Sequence, residues 1–93
     1  MHYNGGKKRV NREYKHKFIY TRHMRKRMVK RKVTTKQVEE TVESPDNYEL
    51  DEEGNEMAYR RYGNRALCVV YEETEREIYL ITTWWDTLMS LNK

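Results

Sequence analysis

The hydrophobic period of this chain changes once, at Pro45, and that change sets its class of fold. Before Pro45, apolar residues recur at helical spacing: Met24 and Met28, then Val38 and Val42. After it they alternate or run together as strands do, in residues 57–62 (MAYRRY), 66–71 (ALCVVY) and 78–85 (IYLITTWW). A helix repeats every 3.6 residues and a strand every two, so one pattern cannot serve both. Pro45 ends the helical part, because its ring and missing N–H block a further turn. Helices first and an antiparallel meander after them predict an α+β fold: two N-terminal helices packed on a small twisted antiparallel β-sheet.

The second helix has the clearest start. Thr34 as N-cap with Gln37 three residues on is a capping box, and Val33 with Val38 fits a hydrophobic staple. Val38 and Val42 form the stripe to be buried, with Glu39, Glu40 and Glu43 expected to face water. The first helix spans YTRHMRKRMVKR, residues 20–31, with Thr21 as N-cap and Met24 and Met28 as a narrow apolar stripe. His23 and Arg27 fall side by side on one flank of that stripe. Lys26 and Lys30 lie beside them, and Arg31 returns nearer the stripe. Only Val33 and Thr34 follow before the second helix, so the two helices must turn sharply on each other.

Around these pieces, residues 15–20 (KHKFIY) read either as a short strand or as extended chain packed under the first helix. Residues 48–50 read as a short strand, 51–55 as a turn, and Gly63-Asn64 as a hairpin. Residues 72–77 form a charged turn, and 86–91 a short helix or tail. In residues 57–62 one face carries Met57, Tyr59 and Arg61, and the other Ala58, Arg60 and Tyr62. Only one of Arg60 and Arg61 can therefore share a face with the helices, and the sequence leaves open which. The organisation expected is a basic, flexible arm over 1–17, a single α+β domain over 18–86 and a tail over 87–93.

Charge narrows the partners. Residues 1–32 hold thirteen Lys or Arg and one acid, a net +12, while residues 33–93 hold six and fourteen, a net −8. Such asymmetry points to a polyanion at the basic end, nucleic acid first, with an acidic partner protein as the alternative. The 93 residues allow one small domain with a modest core. A lone cysteine, Cys68, excludes an intrachain disulfide or a cysteine zinc site, and fits a small core residue in a reducing compartment. No run approaches the roughly 18 apolar residues of a membrane span, and no apolar stretch follows the basic N-terminus as a secretory signal would need. A cytoplasmic protein without metal or cofactor is expected.

The segments YTRHMRKRMVKRKVTTKQVEETVESPD and YRRYGNRALCVVYEETEREIYLITTWWD, with an acidic glycine turn between them, resemble the domain family DUF4258. That family's pattern is an aromatic, Ser or Thr, then His-x-x-x-Arg-Met with another Arg nearby. A second helix, a proline and a hairpin ending in a valine-rich strand follow. His23, Arg27, Met28, Arg31, Val33, Pro45, Gly63 and Val69-Val70 fit, and Thr82 lies in the last strand, where the family often has a threonine. The chain departs from the pattern in its basic leader and at Lys32, where the family usually has glycine. The family is similar to the BrnT and RelE type of toxin fold. The resemblance thus implies helices on a twisted sheet and, for toxins of that type, metal-independent RNA cleavage.

Cleavage without a metal needs a base for the 2′-OH, an acid for the leaving oxygen and cations for the phosphorane charge. The candidates are His23 as acid or base, and Arg27 and Arg61 as phosphate-holding groups. Lys26, Lys30, Arg31, Arg60 and Arg65 are candidates for nucleic-acid contact. The plainer readings are a helix-start histidine that does no chemistry and an Arg27 salt-bridged to an acid. Tyr59, Tyr62, Tyr71 and Tyr79 are base platforms or cross-strand core, and Trp84-Trp85 puts one indole on each side of its strand. Three functions fit: a metal-independent endoribonuclease of toxin–antitoxin type held by an acidic antitoxin, a non-catalytic RNA-binding module, and an interaction domain whose sheet edge takes a partner or a second copy.

Overall fold

In the computed structural model of the protein, which describes residues 16–87, each helix begins where a side chain can satisfy its first N–H groups. The Thr21 hydroxyl accepts from the Met24 N–H at 3.1 Å and opens α1 (Arg22–Arg31). The Thr34 hydroxyl accepts from the Gln37 N–H at 3.1 Å, and the Gln37 side chain takes the Thr34 N–H at 3.0 Å. This reciprocal box opens α2 (Thr35–Glu43). First-turn N–H groups have no partner within a helix, so both caps fill a real deficit.

The turn between the helices rests on Lys32. The Val33 N–H reaches Met28 O at 2.9 Å and the Lys32 N–H reaches Val29 O at 3.3 Å, the paired bonds of a Schellman ending. That ending requires left-handed backbone, and Lys32 adopts it at φ 58°. A side chain there meets its own backbone, whereas glycine does not. Lys32→Gly is therefore expected to stabilise the fold by about 0.5–1 kcal/mol, read as a raised midpoint of urea unfolding.

The strands are β1 (Lys17–Tyr20), β2 (Asn47–Leu50), β3 (Glu56–Tyr62), β4 (Arg65–Glu73) and β5 (Glu77–Thr87). They form one sheet in the order β1-β5-β4-β3-β2. Tyr62 pairs with Arg65 across Gly63-Asn64, and the positive φ falls on Gly63 alone (68°), the pattern of a II′ hairpin. Three expectations need correction. The helices are not the first element, and the sheet is mixed: β1 precedes α1 and pairs parallel with β5, from Lys17↔Glu77 to Tyr20↔Leu80. A four-residue strand leaves little local pattern, and its partner is too distant in sequence to betray it. The last strand also extends through Thr87, where a short helix or tail was expected. The arm is outside the described residues as far as residue 15, as is the tail from residue 88.

One face of the sheet carries both helices. Met24 and Met28 of α1 and Val38 and Val42 of α2 pack there on Ala58, Leu67, Val69, Tyr71, Ile78 and Leu80. Phe18, Tyr20, Tyr62 and Trp85 close the margins of this core. The residues in register with them place Arg60 on the helix face and Arg61 on the other, since Ala58, Arg60 and Tyr62 alternate with Tyr59 and Arg61. Glu39 and Glu40 are half-buried rather than free in water. They accept hydroxyls from Tyr20 (2.6 Å) and Tyr62 (2.7 Å), which tie α2 to β1 and β3. Burial, with Glu39 beside it, raises the Tyr20 hydroxyl pKa, keeping it a donor.

Candidate nucleic-acid interface

α1 owes its orientation to its two methionines. They point into the core, and the Arg25–Val29 side of the helix then faces α2 across a groove shared with Val33, Thr35 and Tyr20. α2 packs on β3 and β4 and α1 on β5, and the flank of α1 opposite that groove faces away from α2. His23 and Arg27 occupy that flank, with Lys26 and Lys30 exposed beside them. The Arg27 Nε donates to His23 Nε2 at 3.4 Å, a long bond that aligns the two side chains. A ring nitrogen that accepts a hydrogen bond carries a lone pair, which is what a general base requires.

The salt-bridged reading of Arg27 requires an acid, and the two half-buried glutamates of α2, Glu39 and Glu40, hold tyrosine hydroxyls instead. Among the described residues no carboxylate pairs with His23, Lys26, Arg27, Lys30, Arg31 or Arg65. Their charge is left facing solvent.

Trp85 links the far end of this flank to the β3–β4 hairpin. Its indole N–H donates to Arg31 O at 2.9 Å, capping a carbonyl at the end of α1. The Arg65 guanidinium stands 4.0 Å from its ring centroid, and the Tyr62 ring meets it edge-on at 6.0 Å. Arg31 and Arg65 are thus brought to one indole from elements far apart in sequence. This link was missed in the sequence. The WW pair was the available signal, because only one of two adjacent tryptophans can face the helices.

The remaining candidates divide. Arg60 is turned inward: its Nη1 donates to Ser44 O at 2.6 Å, with the guanidinium 5.8 Å from the Tyr62 ring centroid. It supports the chain after α2. Arg61 is exposed on the helix-free face, with the sheet between it and α1. It borders a cleft of about 640 Å³ whose other walls include Asp46, Asn47, Glu49 and Asp86. His23, Arg27 and Arg61 are therefore not gathered into one site. Three carboxylates make that cleft a poor place for phosphate.

Cys68 shares the helix-free face and is fully buried. Burial pushes its thiol from 9.0 up to about 12. Relative to an ordinary thiol that leaves roughly a thousandfold less thiolate at neutral pH, and thiolate is the nucleophile. Native protein is expected to resist iodoacetamide at pH 7.5, while urea-unfolded protein reacts. Because the folded value is the higher one, this contribution to stability is complete below pH 9 and fades as pH climbs toward 12.

No group of three or more His, Cys, Asp or Glu is placed to hold a metal among the described residues, and no helix among them is long and apolar enough to cross a membrane. No curated protein and no solved structure matches the chain. The model of one family, the domain of unknown function DUF4258, matches residues 20–85. That span runs from the tyrosine before α1 to the tryptophan that caps it, so the chain belongs to the DUF4258 family.

Proposed function

We propose that the protein binds RNA through the flank of α1 facing away from α2, with His23, Lys26, Arg27, Lys30 and Arg31 contacting phosphates and Arg65 joining them from the hairpin. One observation carries this reading: these cations have no acidic partner among the described residues of a chain rich in acids. Phosphate is the ligand that such an array favours, with Arg supplying paired donors and Lys point charge. The kinship with BrnT and RelE toxins belongs to this proposal, supported by two helices on one face of a small sheet. On that reading an acidic antitoxin would cover the same flank.

The His23–Arg27 contact supports a second reading, metal-independent RNA cleavage. There the imidazole takes the 2′-OH proton as the 2′ oxygen bonds to phosphorus, Arg27 holds the phosphate, and the P–O5′ bond breaks with a proton passing from solvent water to the departing 5′ oxygen. Arg31 or Arg65, rather than Arg61, would complete the charge. The test is incubation of a labelled unstructured RNA with wild type, His23→Ala and Arg27→Ala in EDTA. Cleavage that persists in EDTA and stops in His23→Ala supports the nuclease. Intact RNA retained in a salt-dependent way by wild type and His23→Ala supports binding alone. No retention at low salt removes both.

A further inference from the structure

The guanidinium of Arg65 is held in a defined plane. Arg65 opens β4 on the helix-covered face, two residues before the buried Leu67, and Leu67 pairs with Trp85 on the next strand. The Arg65 guanidinium carbon stands 4.0 Å from the centroid of the Trp85 ring. An edge-on guanidinium at that height would bring a nitrogen about 1.3 Å closer, inside the roughly 3.5 Å contact distance of the ring. The group therefore lies along the indole face, where cation–π attraction holds it.

The indole beneath is itself held from two sides. Its N–H donates to Arg31 O at 2.9 Å, and the Tyr62 ring meets it edge-on at 6.0 Å. The end of α1 and the end of β3 thus fix the ring on which Arg65 rests. The same bond brings the exposed Arg31 beside this stack.

What stays open is the other face of Arg65. Its side chain is exposed, and no carboxylate pairs with it among the described residues. A guanidinium stacked in this way directs its N–H groups sideways, in its own plane, and leaves a flat, weakly hydrated surface above. A phosphate or a carboxylate is a partner for the N–H edge. The face calls for a flat π-system, and of the parts of an RNA strand only a base has that shape. The base must be unpaired, because within a duplex the neighbouring bases already cover both of its faces.

We infer that the Trp85–Arg65 stack seats an unpaired RNA base on the open face of the guanidinium, so that the interface selects single-stranded RNA. This deepens the RNA reading above and rests on it.

The test is filter binding at low salt of two labelled strands of equal length by wild type and Arg65→Lys. One strand is oligouridylate. The other is its abasic counterpart, which keeps sugar and phosphate and has no base to stack. Lysine keeps the charge of Arg65 and loses the plane. On oligouridylate Arg65→Lys is expected to bind about fivefold more weakly than wild type, the low end for one stacked base. On the abasic strand the two proteins are expected to bind alike. Should Arg65→Lys not fold, Arg65→Ala gives the same reading, as an excess of its loss on oligouridylate over its loss on the abasic strand. Equal binding of oligouridylate by wild type and variant, or an equal loss on both strands, would overturn the inference and leave the RNA reading standing. Retention of neither strand by wild type would remove both.

Discussion

Leu67→Ala is expected to lower stability by about 2–5 kcal/mol, a large part of the total for a small domain. Leu67 is fully buried in β4, the strand with neighbours β3 and β5 on its two sides. It stands in register with Arg60 and Trp85 on the helix-covered face. Truncation loses the transfer free energy of the side chain and leaves a cavity. The helix-covered core that must close it has eleven buried members, so few neighbours can shift. Urea unfolding followed by circular dichroism checks the size of the loss. A loss under about 1 kcal/mol would mean that α2 settles onto the sheet and fills the gap.

The second large effect concerns binding. Replacing Lys26, Arg27 and Lys30 together with alanine is expected to flatten the salt dependence of RNA binding by about two units in slope, because each phosphate neutralised on a single strand contributes about 0.7. At physiological salt that corresponds to roughly 50-fold weaker binding. Lys26 and Lys30 are exposed, Arg27 is half-buried with only His23 as its partner, and none of the three forms an ion pair among the described residues, so the fold should be unaffected. Filter binding at several salt concentrations gives the slope. An unchanged slope would place the RNA elsewhere, even if affinity falls.

Local chemistry made much of this fold legible in the sequence. The box at Thr34 and Gln37, the cap at Thr21, the hairpin at Gly63-Asn64 and the stop at Pro45 each depend on residues close in sequence, and the structure shows them in place. β1 was ambiguous because Phe18 and Tyr20 gain their burial from β5 and the helices, not from anything adjacent. The candidate site was readable only on α1, where helical spacing alone puts His23 beside Arg27. Which arginine of the Arg60–Arg61 pair faces the helices depends on the sheet's register, which no local pattern encodes. Glu39 and Glu40 looked solvated because their tyrosine partners come from other elements. Lys32 was visible as a departure from the family's glycine, and its positive φ supplies the physical meaning of that departure.

The parallel pairing of β1 with β5 also bears on the order in which the molecule can assemble. It joins Lys17 to Glu77, so the edge of the sheet is closed by contacts of very long sequence separation. Loop closure over such a span costs entropy before any contact returns it, which slows folding. On a ribosome β5 is the last of these elements to emerge. Until then α1 has no surface for Met24 and Met28, and β1 has no partner. The first-made third of the domain, which carries its positive charge, waits on the last-made strand. Folding is thus delayed until synthesis of the domain is nearly finished, leaving its basic part exposed to nascent-chain partners in the meantime.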